Sequence, residues 1–295
     1  MAILSPPSAR LDKIINFRDV ASIPNATPSS CVHIKLGLLF RSARPDAASS
    51  QDEILLKETY KIHTILDLRT ETEQLEARKK CTNAQVATTP AIQPRDREEP
   101  SEIPGLSYRY ADLSGKEYTN HLLKQLSWRH TCRLYGLYVL GYRTQAISIL
   151  CKNVMAPKGL THLTRDMLQY SREEIKQAFE VLSNPALYPV LVHCTQGKDR
   201  TGLIILLVLA LCGVSTEAIE RDYRLSEREL EGEMDFRLRE LREMGLPASF
   251  ARCPKDWVRV VIDEFLQEYG GVEKYLEGCG VSEAQFESVR KTLVK

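Results

Sequence analysis

The 295-residue chain lacks a surplus of either charge, with 40 Lys and Arg against 39 Asp and Glu. A nucleic-acid partner normally draws a basic excess onto one face, so none is expected. There is also no apolar run long enough to cross a bilayer. The longest, Leu203 to Cys212, has the length of a buried helix, and no transmembrane segment is expected. The opening "MAILSPPSARLDKIINF" lacks the basic n-region and apolar stretch of a secretory signal. The eight cysteines show neither CxxC nor Cys/His ligand spacing, which argues against a zinc site and a disulfide framework. No metal and no cofactor is expected. Free thiols without a signal point to a reducing compartment, the cytoplasm. No internal repeat is present.

What the chain has is an ordinary globular composition, 43% hydrophobic and 27% charged, and length enough to bury a large core. Residues 1–12 read as a tail. The runs "LLFRSARPD", "IHTILDLRTETE" and "LSYRYADLSG" each contain a short strand pattern, and Val190-Leu191-Val192 reads as a fully apolar strand. Residues 78–105, with four prolines and no periodicity, read as a long mobile loop. Helices are expected across 117–151, after a Ser171/Glu174 capping box, and over Thr201 to Cys212. More are expected after Ser215, near 229–243, over 255–269, and after a Ser282/Gln285 cap. Few strands separated by helices predict one α/β domain over 1–295, with a small, largely parallel central sheet flanked by helices.

The chemistry concentrates in "VHCTQGKDRTG". A buried strand delivers His193 and Cys194 to its C-terminal end, and a helix begins near Arg200, the crevice where open α/β sheets bind ligands. The turn Thr195, Gln196, Gly197, Lys198 is short enough to aim its backbone N–H groups inward, beside the positive end of the helix dipole. Arg200 adds a planar fork suited to two phosphate oxygens. The same positive field favours Cys194 as a thiolate nucleophile. Thr201 is placed to donate to the sulfur, and Asp199 to protonate a leaving oxygen. G-x-x-x-x-G-K-[ST] is not satisfied, because Val192 and Asp199 break it.

HC-x5-R-T is similar to the signature of cysteine-dependent phosphatases. "HCTQGKDRTG" most resembles the atypical tyrosine/dual-specificity branch of bacteria and fungi, which includes secreted mycobacterial and listerial enzymes. "NFRDVA", "LLFRSARPD", "ILDLRTETE" and "EYGGVEKYLEGCGVSEAQFESVRKTL" resemble further blocks of that family in the same order, over about residues 12 to 293. "NFRDVA" departs from the family's pattern by lacking a glycine after its aliphatic residue. The resemblance implies a phosphatase-like fold, Cys194 as the phosphocysteine-forming nucleophile, Arg200 as the phosphate clamp and Asp199 as the acid, there being no WPD loop. The loop is also similar to the C-x-x-G-K-x-R loops of inositol-lipid phosphatases, which implies that Lys198 meets a second phosphate and keeps phosphoinositides and inositol phosphates open as substrates beside phosphorylated protein. Residues 117–170 are a candidate helical lid.

The plainer readings stand beside these. Cys31, Cys81, Cys132, Cys151, Cys212, Cys253 and Cys279 are expected to be buried apolar residues. His193 is expected to orient the loop rather than act as a base, and Arg18 and Asp19 to support it. Asp67 and Arg69 either line the pocket or form a fold-stabilising ion pair. Asp112 is the rival acid, read as a strand-end turn residue. Two further classes are a phosphate-binding scaffold without turnover, and sulfur transfer by a loop thiolate, against which Arg200-Thr201 speaks.

Overall fold

The computed structural model describes residues 10–28, 31–75, 77 and 102–295. The expected tail lies outside these residues up to residue 9, and the expected mobile loop from 78 to 101. The remaining edges of both are packed. Leu11 and Ile103 are buried, and the backbone N–H of Asp12 donates to Asp52 Oδ1 at 2.6 Å.

Five strands form one sheet in the order β1-β2-β5-β3-β4, with β1 Arg18–Asp19, β2 Leu39–Ser42, β3 Thr64–Asp67, β4 Ser107–Tyr110 and β5 Val190–His193. β2, β5, β3 and β4 run parallel; β1 pairs antiparallel with β2 at one edge. The expected α/β architecture with a small, mostly parallel sheet is therefore present. β1, within "NFRDVA", has no strand signal of its own and is held by the edge of β2.

β5 is central and buried on both faces, which is why its sequence is an unbroken apolar run rather than an alternating one. The pleat still sorts its side chains. Val190 and Val192, with Leu39 and Leu66, enter the main core beneath the Asp199–Leu211 helix, and Leu191, with Phe40 and Ile65, enters a smaller core on the opposite face. The Asp199–Leu211 helix is apolar nearly all round because it is enclosed, by the Arg172–Leu182, Thr216–Glu229, Val272–Gly278 and Glu283–Leu293 helices among others. A third core lies among the helices Lys116–Lys124, Trp128–Val139, Arg143–Leu150 and Ala156–Tyr170, closed by Leu241, Leu246 and Phe250.

The Ser282/Gln285 capping box forms, and Ser215 caps its helix through the Ala218 N–H. The Ser171/Glu174 box does not, because the Ser171 hydroxyl donates instead to the Leu113 carbonyl at 2.7 Å. The Arg172–Leu182 helix still starts there. Cys151, Cys212, Cys253 and Cys279 are buried as expected, whereas Cys31 and Cys132 are exposed. Cys132 lies on a helix whose packed side is narrow, with Leu134 its buried residue. Cys81 lies outside the described residues. Among the described residues, no helix is long and apolar enough to span a membrane.

Candidate active site

Register places Ser42, His193 and Asp67 side by side at the C-terminal ends of β2, β5 and β3. The chain leaves β5 at Cys194, turns through Thr195–Lys198 and enters the Asp199–Leu211 helix. The turn is held from behind through its carbonyls. Asn16 Nδ2 donates to the Gln196 and Gly197 oxygens at 2.9 and 3.1 Å. Arg41 Nη2 donates to Gly197 O at 2.7 Å, and the Arg44 N–H to Thr195 O at 3.2 Å. Among the hydrogen bonds of the described residues, none is donated by the backbone N–H of Thr195, Gln196, Gly197 or Lys198. A turn whose carbonyls are tied outward presents its N–H groups to the other side, which is the arrangement an anion cradle needs.

Gly197 permits the tight approach to β2. Its φ is 64°, and a Cβ there would fall 2.0 Å from Ser42 O. Behind the turn, Asp222 bridges two buried arginines, Arg18 Nε at 2.7 Å and Arg41 Nη1 at 2.5 Å. Burial alone would raise the Asp222 pKa, but the two guanidiniums outweigh it and hold the carboxyl below its ordinary value. Arg18 also donates to Asn16, so of the two residues expected to support the loop Arg18 reaches it, through Asn16. Asp19 lies apart, accepting from the Ala21 and Gly37 N–H groups of its own turn.

Cys194 is 3% exposed, within electrostatic reach of the Arg41 and Arg200 guanidiniums. The Thr201 hydroxyl is buried without a hydrogen-bond partner. His193 is fully buried, its Nδ1 3.2 Å from Cys194 O. Burial lowers its pKa further than neighbouring Asp67 raises it. Asp67 and Arg69 form an ion pair that also engages Asp46, 2.6 Å from Arg69.

Arg200 is gripped by a residue that pattern reading passed over. Glu73 Oε2 and Oε1 accept from its Nη1 and Nη2, both at 2.6 Å, and Oε1 also accepts from the Thr195 hydroxyl at 2.5 Å. Burial opposes charge on both partners. Their mutual attraction prevails, holding the Glu73 carboxyl well below the usual range and the guanidinium charged. The signal lay in "DLRTETE", where Thr70 Oγ1 receives the Glu73 N–H and donates back to its carboxylate, turning the chain so that Glu73 faces the loop.

Lys198 departs from expectation. Its side chain is fully buried and runs to the 248–251 turn, where Nζ donates to Phe250 O at 3.0 Å and Arg252 O at 2.7 Å. An ammonium taken up by two carbonyls is not presented to a second phosphate. Asp199, 3.5 Å from that ammonium, is 41% exposed at the first turn of the helix. Asp112 follows β4 and senses both Arg200 and Glu73. Burial raises its pKa above the ordinary value, offset in part by the Ser114 N–H and Arg200. Among the described residues, no cluster of His, Cys, Asp and Glu could hold a metal ion.

A buried cysteine at a strand end, a turn whose N–H groups donate no hydrogen bond among the described residues and a clamped arginine in the spacing C-x5-R coincide with the match of residues 9–295 to the family model described as the tyrosine phosphatase family. The chain belongs to that family. It is 31% identical over 146 residues to a tyrosine-protein phosphatase of Nostoc commune, covering 46% of this chain and 50% of that one. It is 30% identical over 122 residues to the triple specificity protein phosphatase PtpB of Mycobacterium tuberculosis, covering 36% and 44%. Over 50 residues it is 40% identical to the inositol diphosphatase SIW14 of Saccharomyces cerevisiae, covering 17% and 18%. The matched segments thus span half or less of the length of these relatives.

Proposed function

We propose that this member of the family hydrolyses phosphoric monoesters through a phosphocysteine intermediate, with phosphotyrosine-type protein substrates first. The observation that carries the reading is the grip of Glu73 on the terminal nitrogens of Arg200 across a turn whose carbonyls are all tied outward. The phosphoryl group lies in the cradle, its oxygens taking the loop N–H groups of Thr195, Gln196, Gly197 and Lys198 and the Arg200 fork. Cys194 Sγ attacks phosphorus as the P–O ester bond breaks, and a carboxylic acid gives its proton to the leaving oxygen. Water then attacks the thiophosphate, its proton returns to the carboxylate, and Sγ leaves as thiolate, stabilised by Thr201.

Two carboxyls compete for the proton. Asp199, implied by the resemblance, is 41% exposed and rests against Lys198. Asp112 has the stronger support, since its raised pKa keeps a proton available to higher pH and Arg200 is within its electrostatic range.

Phosphoinositides or inositol phosphates form the second reading, supported by the likeness to SIW14, although the burial of Lys198 removes one reason for it. The single-domain organisation, the closure of residues 117–170 as a lid and a cytoplasmic site of action belong to the same proposal. Tyr118, at the start of that helical stretch, is within electrostatic range of Arg200, which supports the lid.

Hydrolysis of an aryl phosphate in the presence of EDTA, lost in Cys194→Ser, is the expected result. An inert wild-type chain would leave a phosphate-binding scaffold. Turnover of a phosphotyrosyl peptide against a phosphoinositide and an inositol pyrophosphate ranks the substrates. Limited proteolysis within 117–170 is expected to slow when vanadate fills the cradle.

A further inference from the structure

Eleven large hydrophobic side chains are exposed among the described residues, and seven of them fall between Trp128 and Ile147. They concentrate on the Trp128–Val139 helix and the turn that follows it. Trp128, Tyr135 and Val139 recur at spacings of seven and four, which places them on one stripe of the helix, and Leu140 and Tyr142 continue it. Trp128, Val139 and Leu140 are 72%, 83% and 71% exposed, while the opposite side of the helix buries Leu134. Scattered single apolar residues need no explanation, but a contiguous stripe does.

Along the chain, the charge flanking the stripe has one sign. From Tyr118 to Arg165 the chain contains no Asp or Glu, against seven basic residues: Lys124, Arg129, Arg133, Arg143, Lys152, Lys158 and Arg165. Two of them lean on the aromatics, the Arg129 guanidinium 5.6 Å from the Trp128 ring centre and that of Arg143 5.5 Å from Tyr138. Amphipathic Trp and Tyr rings beside arginines, on a stretch of chain without carboxylates, match the chemistry of a bilayer interface carrying anionic headgroups. A second copy of the chain fits less well. A two-fold contact would set this basic stripe against itself.

We infer that the Trp128–Tyr142 face docks the protein on anionic lipid membranes, with the apolar stripe entering the interface and Arg129, Arg133 and Arg143 meeting the headgroups. None of these residues belongs to the loop or its supports, and the face lies within the 117–170 stretch proposed as a lid, so membrane binding rather than turnover is what is read.

The test is sedimentation of the full chain with vesicles of phosphatidylcholine alone, and with vesicles of phosphatidylcholine and phosphatidylserine at about seven to three. Binding is expected to be at least about tenfold stronger on the mixed vesicles and to weaken at about 0.5 M salt. Trp128 emission should shift to the blue and be quenched by brominated lipid, against a constant background from buried Trp257. Combining Trp128→Ser, Val139→Ser and Leu140→Ser should reduce binding by about tenfold or more, and Arg129→Gln with Arg133→Gln should remove the anionic preference. Circular dichroism should match wild type in both variants. The proposal is overturned if wild type ignores both vesicles, if Trp128 emission does not change, or if the triple variant binds undiminished. It is equally overturned if sedimentation velocity reveals a wild-type dimer that the triple variant converts to monomer.

Discussion

Glu73 holds Arg200 by its Nη1–Nη2 edge, both contacts at 2.6 Å, and no hydrogen bond among the described residues uses the Arg200 Nε. Longer contacts run from Nη1 to Leu68 O at 3.4 Å and from Nη2 to the Thr195 hydroxyl at 3.3 Å, so Nε is the nitrogen without a hydrogen bond among the described residues. On the proposed reaction, a phosphate arriving in the loop would meet a guanidinium already oriented, so the cost of ordering that side chain would fall before substrate binds. Glu73 would then be a positioning residue, acting through Arg200. Glu73→Gln keeps one acceptor and removes the charge, and kcat/KM for an aryl phosphate should fall about 10- to 100-fold, with KM rising as well. A purely structural role would lower thermal stability and leave the kinetics of the folded fraction untouched. Stopped-time assays alongside a melting curve separate these outcomes.

The layout of the loop was legible because a strand end, a cysteine and an arginine lie within one short stretch, where local rules suffice. The β5 and Asp199–Leu211 elements declare themselves by apolar runs of different length. Contacts made across the fold were not legible. Glu73 lies more than a hundred residues from Arg200, and only the parallel pairing of β3 with β5 brings them together. Lys198 misled for a related reason, since its partners are carbonyls of a turn some fifty residues downstream and a carbonyl has no sequence signature.

Lys198 anchors that turn. Lys198→Ala would leave the Phe250 and Arg252 carbonyls without their donor in a buried setting, at a cost of about 1–3 kcal/mol. Turnover of phosphopeptide and phosphoinositide should therefore decline together as the loop loosens. A loss confined to phosphoinositide, with an unchanged melting temperature, would return Lys198 to the substrate.

The proton donor is decided by pH profiles. A carboxyl whose pKa is raised by burial keeps its proton to higher pH, so the alkaline limb of kcat should belong to Asp112. Asp112→Asn should lower kcat about 100-fold or more on a phosphotyrosyl peptide, less on an ester with a better leaving group, and should flatten that limb. If Asp199→Asn removes the limb and Asp112→Asn leaves it, Asp199 is the acid.

Asp222 yields a stability prediction with a definite sign. Its carboxylate lies between Arg18 and Arg41, fully buried, and removing it leaves two buried cations, so Asp222→Ala should cost about 3–5 kcal/mol. Burial works to raise its pKa, but the two guanidiniums prevail and the folded value is depressed. The folded state therefore binds this proton more weakly than the unfolded chain does. The Asp222 contribution is fully present above the unfolded carboxyl pKa of about 4 and is lost as pH falls through the folded value. Urea unfolding should show a large gap between wild type and Asp222→Asn at neutral pH that narrows below about pH 4. Equal midpoints at neutral pH would mean that the two arginines hold the Asn16 and Gly197 contacts without their shared counter-charge.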